Sequence, residues 1–166
     1  MTALTDRLPK PQGKRVLIKS RQTTNDIITA LLDVDYKNRI YKPVLKSYFT
    51  VSTSLLTNLR AGYDYTVRNL QYVKEGQHQT AKTLPVILHH GFGDCKHFAL
   101  TLGSICRALN VPYVYRLTSY NKYDKTPTHI YVVAQVYGKM LILDGVIKTF
   151  GLEKPYEYAY DYKPYK

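Results

Sequence analysis

The chain has 166 residues, a net charge of +12 and two cysteines, and no stretch approaches the roughly 20 apolar residues that a membrane span needs. Its apolar fraction of 45% excludes wholesale disorder and suits one domain with one core. Seventeen tyrosines and no tryptophan make the aromatic supply one-sided; many of these rings are expected at the core boundary, where the hydroxyl reaches water or a partner.

Residues 1–22 carry Arg7, Lys10, Lys14, Arg15, Lys19 and Arg21 against Asp6 alone. They lack the apolar run and cleavage site of a secretory signal. This stretch reads as a basic, flexible arm, either simply solvated or serving an acidic partner, nucleic acid or an anionic surface. The folded domain is expected over residues 23–152. Thr23-Thr24-Asn25-Asp26 offers capping side chains, and Ile27, Ile28, Leu31 and Leu32 follow at helical spacing. Pro43 opens a second apolar segment through Val44, Leu45, Tyr48 and Phe49. Ser52-Thr53-Ser54 can cap a third helix with a stripe of Leu55, Leu56, Leu59, Tyr63, Val67 and Leu70, weakened by Gly62. Residues 74–82 read as a polar connector, and a short apolar run after Pro85 ends at His89-His90 and the turn Gly91-Phe92-Gly93.

From Asp94 the pattern is helical again, with Phe98, Leu102, Ile105 and Leu109 on one face, until Asn110, Val111 and Pro112 stop it. The second half changes period. Tyr113–Tyr120, Thr128–Tyr137 and Lys139–Asp144 are rich in β-branched and aromatic residues, and Tyr137-Gly138-Lys139 makes a tight hairpin connection. Helices first and strands afterwards predict an α+β domain, with N-terminal helices packed on an antiparallel sheet from the C-terminal half. Residues 153–166 place tyrosines at 156, 158, 160 and 162, the pattern of an edge strand or of a docked tail.

Cys95 stands at the first turn of a helix, where unpaired backbone N–H groups and the positive end of the helix dipole favour a thiolate nucleophile. The alternative is a small buried hydrophobe, which is the reading for Cys106 in mid-helix. Eleven residues of helix hold the two sulfurs roughly 16 Å apart, so both are free thiols, as suits a reducing compartment. A thiolate needs a base, and the base needs an orienter. His129 opens one strand and Asp144 closes the next. A two-residue hairpin loop puts His129 opposite residue 146 or 148 and on the same face as Asp144, whereas a three-residue loop reverses the face.

The run Gly93-Asp-Cys-Lys-His-Phe-Ala-Leu-Thr-Leu-Gly-Ser-Ile-Cys-Arg-Ala-Leu-Asn-Val-Pro resembles the core motif of transglutaminase-like, papain-related proteins of the small bacterial and bacteriophage type. Thr128-His129-Ile-Tyr-Val resembles the family's histidine strand and Leu143-Asp144 its aspartate strand. The resemblance implies a catalytic triad in which Cys95 attacks a carbonyl, His129 acts as base and then acid, and Asp144 holds the imidazole. It further implies acyl transfer through a thioester on a peptide or amide substrate, ending on water as in a cysteine protease or amidase, with no cofactor. Two departures stand out: there is no tryptophan for the oxyanion, and Lys96-His97 follows the cysteine where many relatives carry acidic residues. The Cys95 N–H is the first oxyanion donor to consider, with His89-His90 or Gln77–Gln79 as sources of a second. His89, His90, Cys95 and His97 match no standard zinc spacing, so no metal is expected. Two other readings stand beside the enzyme. One is a catalytically silent module of the same fold docking in a virion or secretion assembly; the other is a basic nucleic-acid-binding protein. The chain is expected to be cytoplasmic or virion-associated.

Overall fold

The computed structural model describes residues 2–11, 23–76 and 79–166, together with the backbone of Val16–Leu17. A short helix α1 (Leu4–Arg7) and strand β1 (Val16–Leu17) precede three longer helices, α2 (Thr24–Asn38), α3 (Lys42–Phe49) and α4 (Leu55–Asn69). The expected caps start two of them. Thr23 accepts from the Asp26 N–H while Asp26 accepts from the Thr23 N–H at 3.0 Å, and Ser54 accepts from the Thr57 N–H. Gly62, a weakness by helix propensity, is explained by packing. A Cβ there would come within 2.7 Å of Ile105, so glycine allows α4 its close approach to the helix it crosses.

That helix is α6 (Cys95–Ala108), reached through β2 (Gln71–Tyr72), β3 (Thr80–Ala81), α5 (Leu84–His90) and β4 (Phe92–Gly93). It packs against α2, α3, α4, α5 and the sheet, and twelve of its fourteen residues are buried. The sheet follows as β5 (Tyr113–Ser119), β6 (His129–Val136), β7 (Lys139–Leu143) and β8 (Tyr158–Tyr162), all antiparallel in the order β7-β6-β5-β8. The fold is therefore the expected α+β arrangement. The Tyr-rich end supplies the edge strand, β8. The hairpin loop is two residues long, Tyr137 and Gly138 both at positive φ (50° and 78°), a geometry whose twist matches the flanking strands.

One charged group ties the helices to the sheet. The Asp35 carboxylate on α2 is wholly buried and accepts hydrogen bonds from the Tyr113 hydroxyl at 2.8 Å, the Tyr115 hydroxyl at 2.7 Å and the Arg107 guanidinium. Tyr115 and Tyr63 are exceptions to the boundary placement expected of many tyrosines and sit in the middle of the core. Both hydroxyls have buried acceptors there, Asp35 for one and the Asp144 carbonyl for the other. On the outer face of the sheet, Glu153 accepts from Arg116 at 2.9 Å and from Tyr131 at 2.7 Å, holding the chain between β7 and β8 against the strands.

The expectation of a free arm fails for its first part. Leu4 and Leu8, one helical turn apart, are 1% and 5% exposed in the main core, α1 rests on α5, and β1 pairs with β3. Two leucines on one face bury enough apolar surface to hold a short segment down, whatever its charge. Lys14, Arg15, Lys19 and Arg21 of the basic stretch lie outside the described residues. The 74–82 connector also differs from a merely solvated loop, since Thr80, Ala81 and Lys82 are buried. Leu4→Ala and Leu8→Ala are each expected to cost about 2 kcal/mol, lowering the melting temperature by roughly 5 °C. Thermal unfolding followed by circular dichroism checks this, and variants that melt with the parent would show the segment to be undocked.

Candidate active site

The start of α6 is built by its own side chains. Asp94 is the N-cap and accepts from the Lys96 N–H at 3.1 Å, while the His97 ring accepts from the Asp94 N–H at 3.2 Å. The His97 ring is fully buried against Gly93, where a Cβ would approach it to 2.5 Å, so only glycine fits before the cap. Lys96 turns inward as well. Its ammonium bonds Asp94 and the Gln79 side-chain carbonyl (2.5 Å) and lies 3.6 Å from Glu75, which is 3.5 Å from Lys82. Burial pushes the Asp94 carboxyl up, but the His97 ring 2.9 Å from its oxygen and the Lys96 charge outweigh it and hold it below the usual carboxylate range. The two residues that depart from the family pattern thus brace the helix start and fasten Glu75 and Gln79 to it.

Cys95 is the first residue of α6 and is half-buried, while Cys106 is fully enclosed, its thiol pushed well up by burial and by the charge of Asp35. His129 is the first residue of β6, and Asp144 follows directly on β7. With Val132 opposite Leu143, His129 falls opposite residue 146, the first of the two registers considered, and shares a face with Asp144. The His129 Nε2 and Asp144 Oδ2 atoms are 2.6 Å apart. Asp144 is 1% exposed, and its other oxygen accepts from the Val146 N–H at 3.0 Å. Facing a carboxylate, Nε2 carries the proton, which leaves Nδ1 as the ring nitrogen available to other partners. Burial alone would push the His129 pKa down. The bonds to Asp144 and to Cys95 overcome this and raise it to about 9.

Cys95 and His129 line one cleft of about 760 Å³, together with Tyr72, Gln79 and, from α2, Ile27 and Ile28. Of the residues considered as second oxyanion donors, Gln77 and His78 lie outside the described residues, and Gln79 is bound to Lys96. His89 is exposed on α5, and His90 stacks on Phe92; neither lines the cleft. Among the described residues, His89, His90, Cys95 and His97 do not gather as a metal set. Glu75, Asp94 and His97 do approach one another within 4.8 Å, but the Lys96 ammonium already supplies the cation that this pair of carboxylates needs. Sequence reasoning overlooked Tyr72 and the Glu75–Lys96 network. Tyr72 and Glu75 stand far upstream of the cysteine motif, and no local pattern ties them to Cys95 or Lys96.

A model of the transglutaminase-like superfamily matches residues 45–143, more than half the chain. The chain belongs to that superfamily. Two solved structures share the transglutaminase-like fold. A candidate cysteine protease from Cytophaga hutchinsonii is 20% identical with a TM-score of 0.55, over 81% of this chain and 51% of its own. A candidate protease from Parabacteroides distasonis is 18% identical with a TM-score of 0.54, over 69% of this chain and 25% of its own. This chain therefore spans about half the length of the first and a quarter of the second. No curated protein matches it significantly. Among the described residues, no helix is long and apolar enough to cross a membrane.

The raised His129 pKa has a consequence for stability. A histidine whose folded pKa lies above its unfolded value stabilises fully below about pH 6.5, and that contribution is lost as pH rises through about 9. Chemical denaturation of the parent and His129→Gln is expected to differ by on the order of 2–3 kcal/mol at pH 6 and by much less at pH 10. A difference independent of pH would show that the ring is not charged in the folded chain.

Proposed function

We propose that this transglutaminase-like domain is a cysteine-nucleophile acyl-transfer enzyme of the hydrolase kind, acting on a peptide or amide. The observation that carries the reading is the bond from buried Asp144 to His129, which lines the same cleft as Cys95. In this reading the Cys95 thiolate attacks the substrate carbonyl, and the tetrahedral intermediate collapses to a thioester as imidazolium His129 gives its proton to the leaving amine. His129 then takes a proton from water, whose oxygen bonds the thioester carbon; the C–S bond breaks, returning the Cys95 thiolate and releasing the acyl group as a carboxylic acid. Asp144 keeps the imidazole in one tautomer and stabilises its charged form without taking the proton itself. The likeness to candidate cysteine proteases favours water over an amine as the final acceptor.

Brief labelling with iodoacetamide near neutral pH, read by mass spectrometry, is expected to modify Cys95 much faster than Cys106. Asp144→Asn should fold yet lose two to four orders of magnitude in labelling by an acyl-directed cysteine probe, an estimate that is roughly that of other triads. His129→Ala should lose a similar factor and the double variant little more, because the residues act as a unit. Equal labelling of the two cysteines, or an Asp144→Asn variant as reactive as its parent, would leave a silent module of the same fold as the better description.

A further inference from the structure

An acyl-transfer step at Cys95 places negative charge on the carbonyl oxygen, and two donors are normally aimed at it. One is built in: as the first residue of α6, Cys95 has a backbone N–H with no acceptor inside the helix. The geometry points to the phenolic hydroxyl of Tyr72 as the second donor, so that Tyr72 is a catalytic residue for the reaction proposed above and rests on that proposal.

Tyr72 is held beside the nucleophile by backbone pairing. It lies opposite Gly93 in the parallel β2–β4 pair, with the Gln71 N–H donating to the Gly91 carbonyl at 2.8 Å and the Val73 N–H to the Gly93 carbonyl at 2.9 Å. Cys95 follows Gly93 by two residues. The Tyr72 ring leans on Phe98 of α6, with centroids 6.3 Å apart, and lines the cleft that contains Cys95 and His129. Among the described residues its hydroxyl makes no hydrogen bond, and 43% of the residue is exposed, so the O–H is free to meet a substrate. Partial burial, the charge of Cys95 and then those of Asp94 and Asp144 push the phenol upward from its ordinary value, which keeps it a donor. The competing groups are engaged. The Gln79 amide donates to the Gly76 carbonyl at 2.9 Å and accepts from Lys96, whose ammonium also serves Asp94. Tyr120 stacks near His129 but does not line the cleft.

Two reagents separate this role from thiol reactivity. With p-nitrophenyl acetate, a Cys95 sulfur lone pair forms the S–C bond and the carbonyl π pair moves onto oxygen. That pair then returns, expelling p-nitrophenolate and leaving S-acetyl-Cys95. With iodoacetamide the sulfur displaces iodide at a saturated carbon, and no oxyanion forms. Tyr72→Phe is expected to slow acetylation of Cys95 by roughly 100-fold and alkylation by less than about twofold, with Tyr120→Phe leaving both rates near the parent's. Unchanged acetylation in Tyr72→Phe overturns the assignment. So does an equal fall in both rates, which would make Tyr72 a residue that shapes the thiolate, or a loss found in Tyr120→Phe instead. A parent Cys95 that alkylates quickly but resists acetylation removes the oxyanion site while leaving the reactive thiol. A parent inert to both removes the acyl-transfer reading and the Tyr72 role together.

Discussion

Burial of α6 is the constraint to which the rest of the chain answers. A helix covered on nearly all sides must be wrapped by other elements, and here four helices and the sheet do so. Each buried Phe, Leu or Ile of this helix contributes about 1.5–3 kcal/mol relative to exposure, so displacing any wrapping element would be costly. Polar anchors fix how the wrapping is done. Asp35 joins α2 to α6 and β5 through Arg107, Tyr113 and Tyr115, and Asn38 accepts from the Leu84 N–H while reaching Ser104. Removing one partner of such a buried charge leaves the other uncompensated, and that asymmetry makes the packing specific.

The same constraint leaves Cys95 in the first turn of α6 and Arg107 in the last as the residues through which the buried helix meets solvent. Cys95 is half-buried there, while the residues around it are spent on holding the turn still. Asp94 caps, His97 caps in return over Gly93, and Lys96 ties Asp94 to Glu75 and Gln79. A cysteine on a rigid helix start and a histidine at the head of a strand hold their relative geometry better than two loop residues would. Asp144 is likewise fastened, through its Val146 bond and the Tyr63 hydroxyl on its carbonyl, so the imidazole it meets is held by the core itself.

The cleft divides into two kinds of surface. Ile27 and Ile28 from α2 form an apolar side, whereas Lys74, Glu75 and Gln79 form a polar rim. The rim is held to the domain by buried ion pairs, and β1 pairs with the strand that ends it. A wall built from a short connector depends on these charges more than on hydrophobic area. Its position is therefore set by Lys82 and by Lys96, which also braces the cysteine turn.

What the sequence determined by itself was local. The caps at Thr23, Ser54 and Asp94, the stripes of α2 and α6, the period-2 strands and the Tyr137-Gly138 turn are written in residues a few positions apart. They were legible for that reason. The placement of Cys95, His129 and Asp144 at the ends of regular elements was legible too, as was the shared strand face of His129 and Asp144, because a two-residue hairpin dictates which face a side chain takes. Only the tertiary structure decided the docking of Leu4 and Leu8, the central burial of Tyr63 and Tyr115, the inward turn of Lys82 and Lys96, and the pairing that sets Tyr72 beside Gly93. Each depends on which distant element arrives to cover or accept the group. A lysine or tyrosine reads the same in sequence whether its polar end meets water or a buried carboxylate, and the partner is chosen only when the chain closes around α6.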